Sequence, residues 1–377
     1  MKKQPTKKIK VVISISDFLI GGAERLIIDQ LKYFNRDKFN LTLITLFKFP
    51  HRETFYEFLP KDLKVYKLNF GGFYDLKSYL QLIRILFRLK PNVVVSHLFF
   101  SNSVIRILKI LFGYKNIVVE HNTYINKKKW QIILDRILSR LTYKIVAVSK
   151  TVAAFTAKQE GISVDKFVTI HNGVDLEAIK NTLSNLPPKQ ELMGKLGFSP
   201  SGKIFINVAR LTSQKNHRLL IKAFSVFLEH NPGYKLIILG DGALRGDLQS
   251  LIRELKRENE VLLLGNRTNV IEYYSVSECL VSTSNIEGLS IAYLEAMACG
   301  LPLLSTKTAG TDELIRDREN GFFILDRSVD STIKSMLEFI NSNHEKLREN
   351  TLKFIKSFDI KKNVRAYEEL IKRCIKS

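Results

Sequence analysis

The sequence predicts an α/β protein built from two doubly wound, Rossmann-like domains. Short runs rich in valine and isoleucine alternate with amphipathic stretches, and the alternation restarts after a segment that contains prolines and glycines. Alternation of this kind is typical of parallel sheets with helices on both faces. A length of 377 residues and a hydrophobic fraction of 45% fit two packed domains better than one.

Six apolar runs in the first half are predicted as buried parallel strands because they are short and rich in β-branched residues. They comprise residues 8–16, 40–47, 91–99, 116–122, 143–149 and 167–175. Helical spacing of apolar residues predicts helices at 25–34, 76–89 and 130–141. These elements define a first domain, residues 1–186.

The segment 181–201, NTLSNLPPKQELMGKLGFSPS, has the composition of a linker with room for a short helix. The pattern then restarts with strands at 203–211, 234–242, 261–266, 279–284 and 301–306. Helices are predicted between them at roughly 216–230, 243–257, 291–299 and 331–340. The second domain is therefore residues 187–360, and 361–377 is predicted as a C-terminal helix that could pack back on the N-terminal domain.

The formal net charge is +22 and is concentrated in the first half of the chain. Residues 1–186 hold 31 Lys and Arg against 14 Asp and Glu, whereas residues 187–377 hold 28 against 23. A basic half favours a polyanionic partner, such as nucleic acid, an anionic membrane surface or a phosphorylated ligand. A lysine-rich solvated surface explains part of the total but less of the asymmetry.

Cysteine usage and the N-terminus bear on the compartment. Cys279, Cys299 and Cys374 are too few and too scattered for a disulfide framework or a zinc site, which favours a reducing compartment. The first two are predicted to be small core residues. The N-terminal sequence MKKQPTKKIKVVISIS lacks the apolar centre and cleavage site of a signal peptide, and no later segment has the long apolar run of a spanning helix. We therefore expect a cytoplasmic protein.

Ligands of open α/β sheets bind beyond the carboxyl ends of the strands, so the residues that follow each strand are the first candidates. Gly21 and Gly22 follow the first strand and allow a tight turn, with a helix N-terminus that attracts anions. His121 follows the strand at 116–120 and could donate a hydrogen bond or act as an acid or base. A structural role is the alternative for His121, because His97 and His171 also follow apolar runs.

In the second domain, Arg210 and Lys215 follow the first strand, where two cations are suited to hold a diphosphate. Ordinary surface charge is the alternative. The apolar strand FINVA next to Arg210 argues against it, because an unpaired charge buried there would be costly. The sequence GDG at 240–242 is interpreted as a structural turn.

The stretch EGLSIAYLE places Glu287 in a tight loop and Glu295 in the second turn of the helix that follows. Free amides beside Gly288, Leu289 and Ser290 suit a phosphate or sugar oxygen. Glu295 lies too far along to cap the helix but is placed to accept two hydrogen bonds from a vicinal diol, as an acidic residue does for ribose in dinucleotide sites. Glu287 is placed to accept from sugar hydroxyls. Two ordinary solvated glutamates are the alternative.

Together these motifs resemble the retaining glycosyltransferases of family 4, which have the GT-B fold. The resemblance covers nearly the whole chain: GGAER, HNGVD, ARLTSQKN, GDG and, most specifically, the E-x7-E motif followed by AMACGLP. It implies two facing Rossmann-like domains with the active site in the cleft between them. It also implies transfer of a sugar from a nucleotide sugar.

The resemblance further implies a role for each candidate residue. It assigns the donor's diphosphate to Arg210 and Lys215, with the backbone of Gly22 also close to the phosphates. It assigns the ribose to Glu295. The transferred sugar is assigned to Glu287, to the backbone of Gly288, Leu289 and Ser290, and to His121. Two fixed cations and helix-end amides can stabilise the leaving diphosphate, and no acidic metal-binding pair stands out, so we expect neither a metal nor a cofactor. Retention by front-face attack is implied by the family.

The basic first half is the acceptor-binding half in this family, and an acceptor on a glycolipid or polyprenyl diphosphate would lie at an anionic membrane. The sequence therefore predicts a peripheral protein on the inner face of the cytoplasmic membrane. Two helical stretches fit, LKSYLQLIRILFRLK and KKKWQIILDRILSRLTYK. Their apolar stripes are expected to face the sheet, which leaves the basic faces as electrostatic contacts.

A UDP-linked hexose or N-acetylhexosamine is the donor that the family's habits suggest, for surface-polysaccharide assembly. Two alternatives use the same fold: a nucleotide-sugar epimerase and a sugar-phosphate transferase that makes a soluble disaccharide. A third, a basic nucleic-acid-binding protein, is supported only by charge, because no zinc-finger, RNP or helix-turn-helix motif is present in the sequence. We therefore expect no nucleic-acid partner.

Overall fold

The computed structural model describes residues 8–49 and 53–377. The first seven residues, on which the prediction about a signal peptide partly depends, lie outside the described residues. The chain divides into two compact units. The first unit comprises the described residues up to Gly173 together with Ile360–Ser377, and the second is Val174–Asp359. The division thus lies before the segment 181–201, and most of that segment belongs to helices of the second unit.

Within the described residues, the first unit contains a sheet of seven parallel strands. These are β1 (Ile9–Ile15), β2 (Phe39–Thr45), β3 (Lys64–Lys67), β4 (Val93–His97), β5 (Lys115–Glu120), β6 (Lys144–Ala147) and β7 (Phe167–Thr169). Their spatial order is β3-β2-β1-β4-β5-β6-β7. The order reverses between β1 and β4, and this switch point is where open sheets bind ligands.

The helices that connect these strands are α1 (Gly22–Tyr33), α2 (Leu76–Leu89), α3 (Phe99–Phe112), α4 (Lys129–Leu138) and α5 (Lys150–Glu160). The connections β3 to β4, β4 to β5 and β5 to β6 all run in one direction along the sheet. Because parallel crossovers are right-handed, α2, α3 and α4 cover the same face, and α1, whose connection runs the other way, covers the opposite one.

The second unit contains a sheet of six parallel strands among the described residues, in the order β10-β9-β8-β11-β12-β13. The strands are β8 (Lys203–Val208), β9 (Tyr234–Leu239), β10 (Val261–Gly265), β11 (Cys279–Ser282), β12 (Leu303–Thr306) and β13 (Gly321–Ile324). The helices are α6 (Leu176–Ser184), α7 (Lys189–Lys195), α8 (His217–His230), α9 (Arg245–Glu254), α10 (Val270–Val276), α11 (Ile291–Ala298), α12 (Thr311–Leu314), α13 (Val329–Ile340) and α14 (His344–Ile355). The switch point of this sheet lies between β8 and β11.

The core of the second unit is built around Phe205 on β8. Its ring centroid lies 5.3–6.0 Å from those of four other aromatic side chains, Phe224, Phe227, Tyr234 and Phe339. Aromatic clusters of this kind bury a large apolar area per residue. The predicted core positions of Cys279 and Cys299 are confirmed, since both thiols are buried.

The last helix, α15 (Ile360–Lys376), packs on α1 of the first unit. Gln30 of α1 donates to the side-chain oxygen of Asn363 at 2.8 Å, and Asn363 donates in turn to the carbonyl of His171 at 2.6 Å. Gly173, in the HNGVD motif, must be glycine because a Cβ there would lie 2.7 Å from the Cα of Ile360.

The helices α2 and α4 do not turn all their apolar side chains to the sheet, so that prediction is wrong. Leu82 and Leu86 of α2 are buried, but Phe87 is 66% exposed. On α4, Leu138 is buried, whereas Trp130, Ile133 and Ile137 are about half exposed. A sheet covers one stripe of a helix, and these helices are apolar around more of their circumference. Among the helices of the described ranges, none is long and apolar enough to cross a membrane.

Candidate active site

Arg210 lies in the connection that follows β8 and is exposed to solvent. The argument that a charge beside FINVA would be costly is therefore wrong, because the guanidinium is not taken out of water. The backbone on either side of Arg210 packs on the GDG turn, where a Cβ at Gly240 would overlap the carbonyl of Ala209 and one at Gly242 would lie 2.5 Å from that of Leu211. The structural interpretation of the GDG turn is confirmed.

Lys215 ends a short 3₁₀ turn, Ser213–Lys215, and its ammonium group forms an ion pair with the carboxylate of Glu287. The two side chains are only 15% and 7% exposed. Attraction between charges is stronger at a partly buried position than at an exposed one. The sequence assigned separate roles to these residues, but the structure joins them.

The loops after β8 and β11 are tied together by hydrogen bonds, which fixes the positions of Lys215 and Glu287. Asn285 donates its backbone N–H to the carbonyl of Gln214 at 2.8 Å, and the Gln214 side chain donates to the carbonyl of Ile286 at 2.9 Å. Thr283 donates to the carbonyl of Asn216 at 2.9 Å. Because β8 and β11 are neighbours in the sheet, their carboxyl ends bring these loops into contact.

The helix α11 begins at Ile291, directly after Gly288, Leu289 and Ser290, as predicted. Ser290 is the N-cap residue, and its side chain accepts no capping hydrogen bond from any amide in the described part of the chain. First-turn amides that a side chain does not cap are available to a ligand. Glu295 lies in the second turn, as predicted, and is partly buried.

Glu295 lies near two other ionisable side chains, those of Tyr274 and Cys299. Burial raises the pKa of the Tyr274 phenol well above its usual value, and the negative charge of Glu295 raises it further. The same two causes raise the pKa of the Cys299 thiol. The carboxylate of Glu295 therefore lies close to α10 and to the end of its own helix.

A loop that the sequence analysis missed closes on this site. Gly310 follows β12, and its N–H donates to the carbonyl of Glu287 at 3.1 Å. A Cβ at Gly310 would overlap the carbonyl oxygen of Gly288, so only glycine fits there. The sequence could have indicated this loop, because the strand 301–306 was predicted and residues 307–310 directly follow it.

His217, the first residue of α8, was also missed. It is buried, its Nε2 lies 3.1 Å from Oδ1 of Asn207 on β8, and Asn207 donates to the carbonyl of Val281 on β11 at 2.7 Å. Burial, and then the charge of Lys215, lower the pKa of His217 to about 4. A neutral imidazole therefore joins the two strands whose loops carry Lys215 and Glu287.

In the first unit, His121 follows β5 and is paired with His97 at the end of β4. Nε2 of His121 lies 2.9 Å from Nδ1 of His97, and the ring centroids are 5.2 Å apart. His97 is fully buried, whereas His121 is partly exposed. Burial lowers the pKa of His121 to about 4 and that of His97 well below its usual value, with His121 as a further cause. Both imidazoles are neutral near pH 7.

Gly22 is the first residue of α1, as the sequence indicates, and it is exposed. Gly21 precedes it as the N-cap residue in extended conformation. A Cβ at Gly21 would lie 2.4 Å from a carboxylate oxygen of Glu24, so a larger residue at this position would require the Glu24 side chain to shift. Glu24 also places an acidic side chain at the helix end.

A buried ion cluster, defined as Arg106, Lys127, Asp135, Glu160 and the adjacent Glu120, also lies in the first unit. Lys127 pairs with Asp135 at 2.7 Å and with Glu160, and Arg106 also pairs with Asp135. Three carboxylates face two cations. Burial raises the pKa of Glu120, and burial followed by the charge of Glu120 raises that of Glu160 to about 7.

Two family models match the chain. Residues 20–178 match a model described as Glycosyltransferase Family 4, and residues 188–357 match one described as Glycosyl transferases group 1. The chain belongs to the family 4 glycosyltransferases. It is therefore a transferase that acts on nucleotide sugars, and this assignment replaces the epimerase and nucleic-acid-binding alternatives.

Two relatives have names that specify a reaction. An Escherichia coli protein named UDP-Gal:alpha-D-GlcNAc-diphosphoundecaprenol alpha-1,3-galactosyltransferase is 24% identical over 98% of this chain and 98% of its own. A Campylobacter jejuni protein named N-acetylgalactosamine-N,N'-diacetylbacillosaminyl-diphospho-undecaprenol 4-alpha-N-acetylgalactosaminyltransferase is 31% identical over 56% of each chain. Both names describe lipid-linked acceptors.

The fold is shared with solved glycosyltransferase structures. The Anabaena protein HepE in complex with UDP-glucose superposes with a TM-score of 0.80 at 20% identity, over 97% of this chain and 100% of its own. The two α/β units therefore have the GT-B fold that the sequence predicted.

Proposed function

We propose that this glycosyltransferase moves a hexose or N-acetylhexosamine from a UDP sugar to a lipid-linked or glycan acceptor, with retention of configuration. The product would serve the assembly of a surface polysaccharide, lipopolysaccharide or other glycan. The observation that carries the proposal is the Lys215–Glu287 pair beside the N-terminus of α11. A cation, a carboxylate and first-turn amides that the Ser290 side chain does not cap together suit an anionic diphosphate joined to a sugar. The name of the E. coli relative, which includes UDP-Gal, supports UDP.

In this proposal, Arg210 and Lys215 hold the diphosphate and stabilise the charge that grows as the glycosidic bond breaks. Glu287 and the backbone of 288–290 hold the transferred sugar, and Glu295 holds the ribose. The exposure of Arg210 supports its role, because its guanidinium is accessible to a ligand. The pairing of Glu287 with Lys215 supports a positioning role for Glu287 rather than one as a general base.

The family resemblance implies retention by front-face attack, and the proposed roles of these residues are compatible with it. The acceptor hydroxyl attacks on the side of the departing diphosphate, and its proton passes to a phosphate oxygen. No protein nucleophile or metal ion takes part in this proposal, because cations and amides supply the positive charge. Neither excess EDTA nor added Mg²⁺ should change the rate by more than about twofold, and a loss of tenfold or more in EDTA that Mg²⁺ restores would contradict the metal-free proposal.

The reaction is tested by incubating the purified protein with a sugar linked to polyprenyl diphosphate and with UDP-galactose, UDP-glucose, UDP-N-acetylglucosamine or UDP-N-acetylgalactosamine in turn. We expect transfer from one of these donors, with an α anomeric linkage in the NMR spectrum of the product. A β linkage would overturn retention. GDP and ADP sugars are assayed in parallel, and transfer from one of them with none from the UDP sugars would overturn the choice of UDP.

We further infer that the first unit contacts an anionic membrane surface. The helices α2, α3 and α4 share one face of the sheet and expose large apolar side chains, here named the outer apolar face: Leu76, Leu80, Phe87, Ile110, Leu111, Trp130, Ile133 and Ile137. Trp130 on α4 packs against two other aromatic side chains, since its ring centroid lies 6.3 Å from that of Phe73 and 5.6 Å from that of Phe99. Exposed apolar residues in such numbers indicate a contact surface.

Exposed basic side chains lie on α2 and α4, at Lys77, Arg84, Arg88 and Lys129, and Arg140 is exposed in the 3₁₀ turn that follows α4. Apolar and basic residues together fit an interface with anionic lipid, into which the apolar side chains insert while the cations remain near the headgroups. The lipid-linked acceptors in the names of the relatives support this partner and a peripheral location on the inner face of the cytoplasmic membrane. In the absence of a membrane, these side chains stay in water.

Co-sedimentation with liposomes tests the membrane proposal. The wild-type protein should bind vesicles that contain phosphatidylglycerol more tightly than vesicles of phosphatidylcholine. The triple variant F87S/W130S/I133S should bind at least about tenfold more weakly, because three apolar side chains no longer insert. The control is Leu325→Ser in the second unit, where the leucine is 76% exposed. Equal binding by the triple variant and the wild type would contradict insertion, and no binding at low salt would overturn the partner.

A further inference from the structure

The pairing of His97 with His121 gives His97 a defined chemical task. The two residues end neighbouring strands, since His97 is in register with Val119 of β5. Their rings share one hydrogen bond, in which one nitrogen must donate and the other must accept. Because both rings are neutral, the tautomer of one determines the tautomer of the other.

The environment of His97 determines which of its two ring nitrogens carries the proton. Its Nε2 is buried and has no hydrogen-bond partner among residues 8–49 and 53–377. An unpaired buried N–H group is rarer and more costly than an unpaired acceptor. The proton of His97 therefore belongs on Nδ1, from which it is donated to Nε2 of His121. His121 must then carry its own proton on Nδ1.

The backbone next to His97 is held in a conformation that a structural histidine does not require. Leu98 has φ +67° and ψ 151°, a region that is almost restricted to glycine. This residue is the N-cap of α3, and its carbonyl accepts from the N–H of Asn102 at 2.8 Å. Strain of this kind is concentrated at functional sites, and here it immediately follows the residue that bonds His121.

We propose that His97 is a positioning residue that fixes His121 as the Nδ1–H tautomer and so makes it a hydrogen-bond donor to substrate. The proposal rests on the proposed role of His121 at the active site. It explains why a fully buried histidine stands at the end of β4, where an apolar residue would fill the same space without an unpaired nitrogen. His97 itself touches no substrate and acts only through His121.

The tautomer is measured directly on the wild-type protein by long-range ¹H–¹⁵N correlation after labelling with ¹⁵N-histidine. Protonated and unprotonated ring nitrogens resonate in separate ranges, and the variant His121→Asn assigns the signals. We expect His121 protonated on Nδ1 and His97 also on Nδ1. His121 protonated on Nε2, or a mixture of both forms, would overturn the proposal. This readout needs no activity and no variant at position 97.

Kinetics of variants at His97 provide the second test. Asparagine can place an amide N–H where Nδ1–H of histidine lies, whereas leucine cannot, so His97→Leu should lower kcat by roughly tenfold to a hundredfold and His97→Asn should restore most of the loss. Donor KM should change little in either. Equal rates for His97→Leu and the wild type, or equal losses in both variants, would overturn the positioning role.

The variant His121→Asn separates this proposal from the proposed function. If it transfers sugar at the wild-type rate, the active-site role of His121 fails, and the ¹⁵N result still decides the tautomer. If it is as slow as His97→Leu and the double variant is no slower, the two residues act as one unit, as expected. Additive losses would overturn the view that His97 acts through His121.

Discussion

The strand ends of the two units carry different kinds of polar side chain. In the second unit, ionised groups lie where a ligand can reach them, with Arg210 exposed and Lys215 paired with Glu287. In the first unit, the strand ends present two neutral imidazoles, His97 and His121, and the charges are paired out of water in the buried ion cluster.

Each set of residues suits a different part of a nucleotide sugar. A diphosphate needs accessible positive charge, and the second unit supplies it beside the amides of α11. Neutral donors suit sugar hydroxyls, which carry no charge. Part of the positive charge of the first half lies on the helices α2 and α4, at Lys77, Arg84, Arg88 and Lys129.

The largest expected effect on the rate of transfer comes from the charged groups of the second unit. Lys215→Ala should lower kcat by about a hundredfold to a thousandfold, because it removes a cation from the leaving diphosphate and leaves the carboxylate of Glu287 unpaired. Steady-state transfer kinetics measure this. Lys222→Ala, an exposed lysine on α8, is the matched control. If Lys215→Ala lowered kcat by less than about threefold, the proposed role of the charged groups of the second unit would be contradicted.

Gly310→Ala should destabilise the second unit by at least about 1–3 kcal/mol, because the new methyl group would overlap the carbonyl of Gly288. Gly246→Ala is the matched control, since a Cβ at Gly246 on α9 meets no atom within 4 Å in the described residues, and it should be neutral or slightly stabilising. Chemical denaturation followed by fluorescence measures both. Equal stability of the two variants would show that the loop after β12 is not packed as described.

Glu160→Gln tests the buried ion cluster through pH. The pKa of Glu160 is raised in the folded state from 4.5 to about 7, so its contribution to stability is fully present below the unfolded pKa and is lost as pH rises through about 7. Relative to Glu160→Gln, the wild type should therefore lose roughly 2 kcal/mol of stability between about pH 5 and pH 8.

Denaturation curves across this pH range give the difference for Glu160. Glu57→Gln, at an exposed glutamate of the same unit, should run parallel to the wild type. Some pH dependence will remain in Glu160→Gln, because burial raises the pKa of Glu120 in the same direction. A constant difference between wild type and Glu160→Gln at all pH values would show that the cluster holds no extra proton.

Glu295→Ala should have the smallest effect, an increase in donor KM of about tenfold with kcat little changed, because it removes two hydrogen bonds to the ribose that are equal in ground and transition states. Arg210→Ala should show the opposite division, with kcat falling more than KM rises. Thermal-shift titration with UDP measures the binding part. If Glu295→Ala lowers kcat alone, the ribose assignment is wrong.

Much of the fold was predictable from the sequence, since alternation and length indicated two doubly wound sheets. The helix α3 was missed because FFSNSVIRILKILF is apolar on several faces and lacks a clear helical period. The strand β3 was missed because it has four residues, all at least partly exposed, at the edge of the sheet.

The positions of several candidate residues on the fold were predictable from the sequence, but their pairings were not. Glu287, the start of α11 and the second-turn position of Glu295 followed from one local motif. The contact of Lys215 with Glu287 spans 72 positions, and no local pattern reports a contact of that range. For the same reason His97 weakened the case for His121 in the sequence, whereas in the structure it is its partner.

The position of α15 has a consequence for how the protein is made. The first unit is interrupted in the sequence by the whole of the second, so its last helix leaves the ribosome only after Val174–Asp359 has been synthesised. Until then the surface of α1 that α15 covers is open, and Gly173 has not met Ile360. The second unit can fold during translation, whereas the first unit is completed only after it. The first unit therefore stays incomplete until α15 has been synthesised.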